Sequence, residues 1–460
     1  MNMHPAPGHL PSERIDPRGR DVLLWLTGAV LILALLIGGA SRENLLQVSL
    51  IELASLPLLG LAIWRLSTAG GWAAVRVPAL IIAMAVAVPL LQLIPLPFET
   101  WASLPGRALA ADALKMAGLD HGWRPISLVP LESWRHALAL LPPAAVFLAA
   151  ACLKDGERRW ITLIIPAVAA LSLMVGIAQL AGGNDSTFYI YDTTNYGAAV
   201  GLFANRNHQA ALLVASLPFA VLYLDFRTRD PRRLLLAFAA AGALVLVEIV
   251  ALVVVQSRAG VLLLVPALVG GLLLIWRAGE RRMAIRAAGV LGLVTVAALG
   301  AAFLFGGAPL MERFSQVGDG RLHTAPVTAQ AAMAHMPLGA GLGSFPQVYA
   351  GLEPIETMGT TYWNHAHNDY LEIALDAGIP GLLVLGAFLI WWLGRVWAAW
   401  RGETLAAHLA RIAGVATALL LIHSIVDYPL RTLALACVFA FACGLMTPVP
   451  PSRQRPSGAR

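Results

Sequence analysis

Residues 234–255 read LLLAFAAAGALVLVEIVALVVV, and Glu248 carries the only charge in that run. As a helix rising ~1.5 Å per residue, it is long enough to cross the ~30 Å hydrocarbon core of a bilayer. Similar runs recur along the chain. They predict an all-α, polytopic bundle of about twelve spans. The spans fall near 22–40, 45–64, 77–96, 136–152, 160–181, 207–225, 234–255, 259–276, 286–305, 377–394, 408–426 and 431–447. Composition agrees: 58% of the 460 residues are hydrophobic and only 13% charged, against about 25% charged in soluble chains.

The charges orient the bundle. With the N-terminus in the cytoplasm, 22 of the 32 Lys and Arg residues fall in cytoplasmic loops and tails, as the positive-inside bias requires. The net charge of +6 then reflects basic loops at a membrane surface rather than a nucleic-acid partner. The expected layout is a cytoplasmic tail 1–20, spans across 21–305, a large outer loop 306–376, further spans across 377–447, and a cytoplasmic tail 448–460. Smaller outer loops cover about 97–135 and 182–206. The cytoplasmic loops are short and contain no GxxxxGK[ST] or GxGxxG context, so they offer no nucleotide-binding domain. Cys152, Cys437 and Cys443 all lie in apolar spans, where buried free thiols are expected.

Asn364-His365-Ala366-His367-Asn368-Asp369-Tyr370-Leu371-Glu372 breaks this apolar pattern at the end of the large outer loop. Imidazoles, amides and carboxylates gathered at a membrane surface point to proton-transfer chemistry. His367 is the candidate base, because a neutral imidazole accepts a proton near neutral pH. Two other readings stay open from the residues alone. His365, His367 and Asp369 would share a face in a strand and could hold a metal, or His367 could cap the helix that starts near Asn368.

Outward arginines run against the positive-inside bias, so they call for a reason. Arg206, Arg258 and Arg431 each sit tight against a span end. A guanidinium there is suited to a phosphate. The alternatives are contact with lipid headgroups or pairing with a carboxylate such as Asp427. Glu52 and Glu248 lie inside spans, where a carboxylate serves function or pairs with a neighbouring helix.

His367-Asn368, nine residues, Gly378, two residues and Gly381 resemble the H-N-x9-G-x-x-G signature of the O-antigen ligase and O-antigen polymerase superfamily. Gly341-Leu342-Gly343-Ser344-Phe345, Asn205-Arg206-Asn207-His208, Ser257-Arg258-Ala259-Gly260 and His423 through Asp427-Tyr428-Pro429-Leu430-Arg431 also resemble that family. The resemblance implies a multi-pass protein of the bacterial inner membrane. It would transfer a glycan from undecaprenyl pyrophosphate on the periplasmic face, inverting the anomeric carbon, with no metal and no cofactor. The acceptor would be lipid A–core or a second lipid-linked glycan. His367 would be the base, Arg206, Arg258 and, by extension, Arg431 would hold the pyrophosphate, and Asn368, His208, His423 and Asp427 would support them. The rival class is a transporter of a glycan lipid or small anion. It would place charges deep in the spans rather than at their outer ends.

Overall fold

The computed structural model describes residues 22–40, 45–192, 195–224, 230–278, 321–355 and 362–449, with isolated positions between them. The N-terminal tail 1–20, nearly all of the ninth expected span, the outer-loop stretch 306–320 and the tail beyond Val449 lie outside the described residues.

The chain opens with α1 (Val22–Ile37), α2 (Leu45–Ala69) and α3 (Trp72–Gln92). A small segment of short elements follows: β1 (Pro95–Pro97), α4 (Phe98–Ala102), α5 (Ala108–Met116) and β2 (Trp123–Pro125). The strands pair antiparallel with Leu96 opposite Arg124. Next come α6 (Pro130–Ala139), α7 (Leu141–Cys152), α8 (Asp155–Ile161), α9 (Ile164–Gly182), α10 (Arg206–Val221), α11 (Pro231–Val255) and α12 (Arg258–Ala278). The remainder is α13 (Arg321–Ala334), α14 (Phe345–Ala350), α15 (Asp369–Arg401), α16 (Leu405–His423) and α17 (Leu433–Leu445).

Eight stretches among the described residues are long and apolar enough to cross a membrane. They are α2, α3, α6 with α7, α8 with α9, α11, α12, α15 and α16. Every expected span but the ninth falls on a helix. Length does not fix the number of crossings at twelve, however, because α1 and α10 have 16 residues each and α17 has 13. The helix α10 is buried along most of its length and packs on α9, α11, α12 and α16. Close approach of α10 and α12 depends on Gly260, where an added Cβ would lie 2.7 Å from that of Ala210.

Contacts sort the loops into two faces. On one, Arg158 donates to the carbonyls of Ala150, Ala151 and Thr447, Arg395 to Met446, and Arg411 to Gly402. These guanidiniums close the C-terminal ends of α7, α17 and α15, where free carbonyls and the helix dipole favour a cation. On the other face, Asn207 meets Asp427, His367 meets Asp427, and the segment from β1 to β2 docks on the loop after α13. Arg107 makes that last junction, donating to Ile126 and Gly339 carbonyls at 2.5 and 3.3 Å. Burial pushes its guanidinium down to about 10.

The helix α15 already starts at Asp369 and breaks at Gly378, whose φ of 56° lies in the left-handed region. The break frees the carbonyls of Leu375 and Asp376. Ala340 and Gly341 donate to them at 2.8 and 2.9 Å, and the Gln92 amide adds a bond to Asp376. The first glycine of the signature is therefore a packing requirement: its Cβ would sit 2.3 Å from the Pro337 carbonyl oxygen. Gly378→Ala should cost about 1–3 kcal/mol of stability through backbone strain. The check is thermal unfolding of the detergent-purified protein, with Gly386→Ala as the control at an open helical position. An unchanged midpoint for Gly378→Ala would count against the strained kink.

Candidate active site

His367 sits in the turn before α15 with φ of 51°, a conformation that costs a non-glycine residue and that surrounding contacts must hold. They do. Asn368 caps α15, its side chain accepting from the Leu371 amide at 3.0 Å, and the Asp369 amide donates to the Ser424 carbonyl at 2.9 Å. The imidazole packs edge-on against Trp363 and Tyr428. Its Nδ1 lies 3.0 Å from Asp427 Oδ1. A carboxylate can only accept, so the ring donates from Nδ1 and Nε2 keeps its lone pair. That is the tautomer a general base needs.

Asp427 is fully buried and held on both oxygens. Oδ1 also accepts from the Tyr428 amide at 3.0 Å, and Oδ2 accepts from Asn207 Nδ2 at 2.6 Å. Asn207 Oδ1 in turn accepts from Ser257 Oγ at 2.9 Å. A hydrogen-bonded chain thus runs from Ser257 through Asn207 and Asp427 to His367. Asn207 and Ser257 stand next to Arg206 and Arg258, so the two arginines begin neighbouring helices at one level. Each is the first residue of its helix, where the helix dipole adds positive potential.

Residues 244–386 match the family model described as O-antigen ligase. That segment, about a third of the chain, is thus similar to an O-antigen ligase domain. A comparison with curated proteins finds no match. The O-antigen ligase match covers Ser257, Arg258, His367, Gly378 and Gly381. Asn207 and Asp427 lie outside it, so the hydrogen-bonded chain is completed by α10 on one side of the matched segment and the turn after α16 on the other.

Around the matched segment the other expected residues take different places. Arg431 does not present an open fork: Nε lies 3.2 Å from Asp369, and Nη1 lies 3.0 Å from Glu372 and 3.3 Å from Asp376. Three carboxylates entering an apolar bundle on one helix need a cation, and Arg431 supplies it. The phosphate role extended to Arg431 therefore gives way to that of a brace. His423 is buried, with Nε2 4.0 Å from Asp427. His208 is buried edge-on against Tyr428. Asn368 acts as the helix cap. His365, His367 and Asp369 do not converge, since His365 pairs with Glu372 at 2.8 Å and Asp369 with Arg431 and Ser424. Glu248 is buried in α11, and its Oε1 has no hydrogen bond among the described residues.

A cavity of about 820 Å³ opens beside this site. Its wall includes His365 and Arg431 at a polar end and Glu52 on α2, but none of His367, Arg206 or Arg258. Two features escaped sequence reasoning. One is Asn207 as the link to Asp427. The other is the set Asp369, Glu372 and Asp376, whose spacing puts all three on one helix face and was legible once a helix start at Asn368 was accepted.

Proposed function

We propose that this chain is a glycosyltransferase of the bacterial inner membrane, with both termini cytoplasmic and the site facing the periplasm. It moves a glycan from undecaprenyl pyrophosphate to an acceptor hydroxyl. The observation that carries this reading is the His367–Asp427 pair at 3.0 Å, with Nε2 available as an acceptor, set beside two arginine-bearing helix starts. Family membership at the coarser level, an O-antigen ligase or polymerase type of glycosyltransferase, stands on the matched domain.

In the proposed step, the acceptor oxygen attacks the anomeric carbon as its proton passes to His367 Nε2. The bond from that carbon to the phosphate oxygen breaks, and its electron pair leaves with undecaprenyl pyrophosphate. Arg206 and Arg258 stabilise the charge growing on that leaving group. Asp427 holds the imidazole in its working tautomer and stabilises the imidazolium that forms. Direct displacement inverts the anomeric carbon and calls for neither metal nor cofactor. Ligation to lipid A–core and polymerisation onto a second lipid-linked glycan share this step. Glu52 and Glu248 apart, the charged groups collect towards helix ends on one face, which favours catalysis over a transporter's path through the bundle.

The test is transfer by purified protein in detergent, using undecaprenyl-pyrophosphate glycan and acceptor, with product configuration read by NMR. An inverted linkage formed at an unchanged rate in chelator is expected, and a retained linkage would overturn direct displacement. Arg258→Lys keeps the charge and loses the fork, so transfer should fall roughly tenfold or more.

A further inference from the structure

A second cavity, of about 170 Å³, opens on the face away from His367, where α8, α10, α12 and α16 meet. Apolar side chains line much of it: Leu222 just past α10, Leu274 and Ile275 near the end of α12, and Leu405 and Ile412 on α16. Arg159, Tyr223, Glu403 and His408 add a polar share.

The charge balance there favours an anion. Glu403 is the only carboxylate on the wall among the described residues, and Arg277 already pairs with it at 3.1 Å. Arg159 is exposed and has no carboxylate partner among the described residues. Its guanidinium lies over the neutral Tyr223 ring, 5.4 Å from the centroid. The Tyr223 hydroxyl donates to the Arg159 carbonyl, which pins the ring beneath the cation. A guanidinium stacked on a ring keeps its edge N–H groups for other acceptors, and that edge suits two phosphate oxygens.

Exposed indoles set the depth of this cavity. Trp160, Trp276 and Trp397 are 58%, 52% and 63% exposed. Trp160 and Trp276 adjoin Arg159 and Arg277 in sequence, and Arg401 stacks on Trp397 at 4.3 Å. Open indoles beside cations at the ends of apolar helices mark the boundary between hydrocarbon and water. Phosphate at that level belongs to lipid headgroups, and the apolar lining suits the glycerol and first methylenes that follow.

We infer that this cavity holds the headgroup of an anionic phospholipid, with Arg159 on the phosphate and the start of the acyl chains against α10, α12 and α16. The inference does not depend on glycosyl transfer. The same three helices carry the candidate site at their far ends: α10 starts at Arg206, α12 at Arg258, and α16 ends at His423, four residues before Asp427. A lipid bound here bridges them and stabilises the packing that brings those ends together.

The experiment is thermal unfolding of the detergent-purified protein with phosphatidylglycerol, phosphatidylcholine or inorganic phosphate added. Phosphatidylglycerol should raise the midpoint, because a ligand of the folded state stabilises it. Phosphatidylcholine, whose choline offsets the phosphate charge, and inorganic phosphate should not. Arg159→Gln should weaken the apparent affinity for phosphatidylglycerol roughly tenfold or more, and Arg159→Lys should weaken it less. Arg76→Gln, at an exposed arginine outside the cavity, should leave it unchanged. A phosphatidylglycerol with a diazirine next to its glycerol should label peptides of α8 or α16 in the wild-type protein, whatever the variants do. Equal stabilisation by phosphatidylcholine, or equal losses in Arg159→Gln and Arg76→Gln, would reduce the effect to bulk lipid or diffuse charge and overturn the inference. A full response to inorganic phosphate, or a label confined to other helices, would overturn it too.

Discussion

His367→Ala should lower glycan transfer by roughly 10²–10⁴-fold, the range expected when a positioned general base is lost. The imidazole contributes a hydrogen bond from Nδ1 and contacts with Trp363 and Tyr428, while Asn368 still caps α15 without it. Membrane insertion and donor binding should therefore survive, and the loss should fall on kcat. His365→Ala is the comparison. Its ring faces the cavity and pairs with Glu372, so its effect should be much smaller. Turnover near wild type in a well-inserted His367→Ala protein would sink the mechanism and leave activation to the arginines or a carboxylate.

Asp427→Asn should be the next largest effect, with kcat falling on the order of 10²-fold or more. The substitution keeps the shape of the side chain and its capacity to bond Asn207, and removes the charge that stabilises the imidazolium. A positioning role predicts a split: kcat falls, while KM for donor and acceptor changes little. Arg258→Lys should differ by weakening donor binding as well. If Asp427→Asn instead raises donor KM with kcat intact, the carboxylate serves the arginine-bearing helix starts and not the base. Solubility and unfolding temperature, measured alongside, separate either result from simple loss of fold.

Much of the architecture was legible in the chain. Apolar runs are local signals, and eleven of the expected spans fall on helices. His367 was legible as a candidate because its neighbours announce a polar cluster. The pairing with Asp427 was not, because 60 positions separate the two residues and no local periodicity encodes which turn meets which. Arg431 shows the same limit from the other side. A guanidinium at a span end reads equally well as a phosphate ligand or an ion-pair partner, and only the arrival of α15 with three carboxylates decides. The outer loop was legible as polar but not as structured, since α13 and α14 are too short and too mixed in composition to announce themselves.

Arg158, Arg395 and Arg411 carry a further consequence. Their guanidiniums end up bound to backbone carbonyls at the ends of α7, α17 and α15. Before those helices assemble, the same charges resist crossing the bilayer and so bias the direction of insertion. Orientation and assembly thus draw on the same atoms at different times. A chain threaded the wrong way carries cations and carbonyls across together, so these contacts survive inversion and the penalty for wrong threading lies in moving the cations through the bilayer.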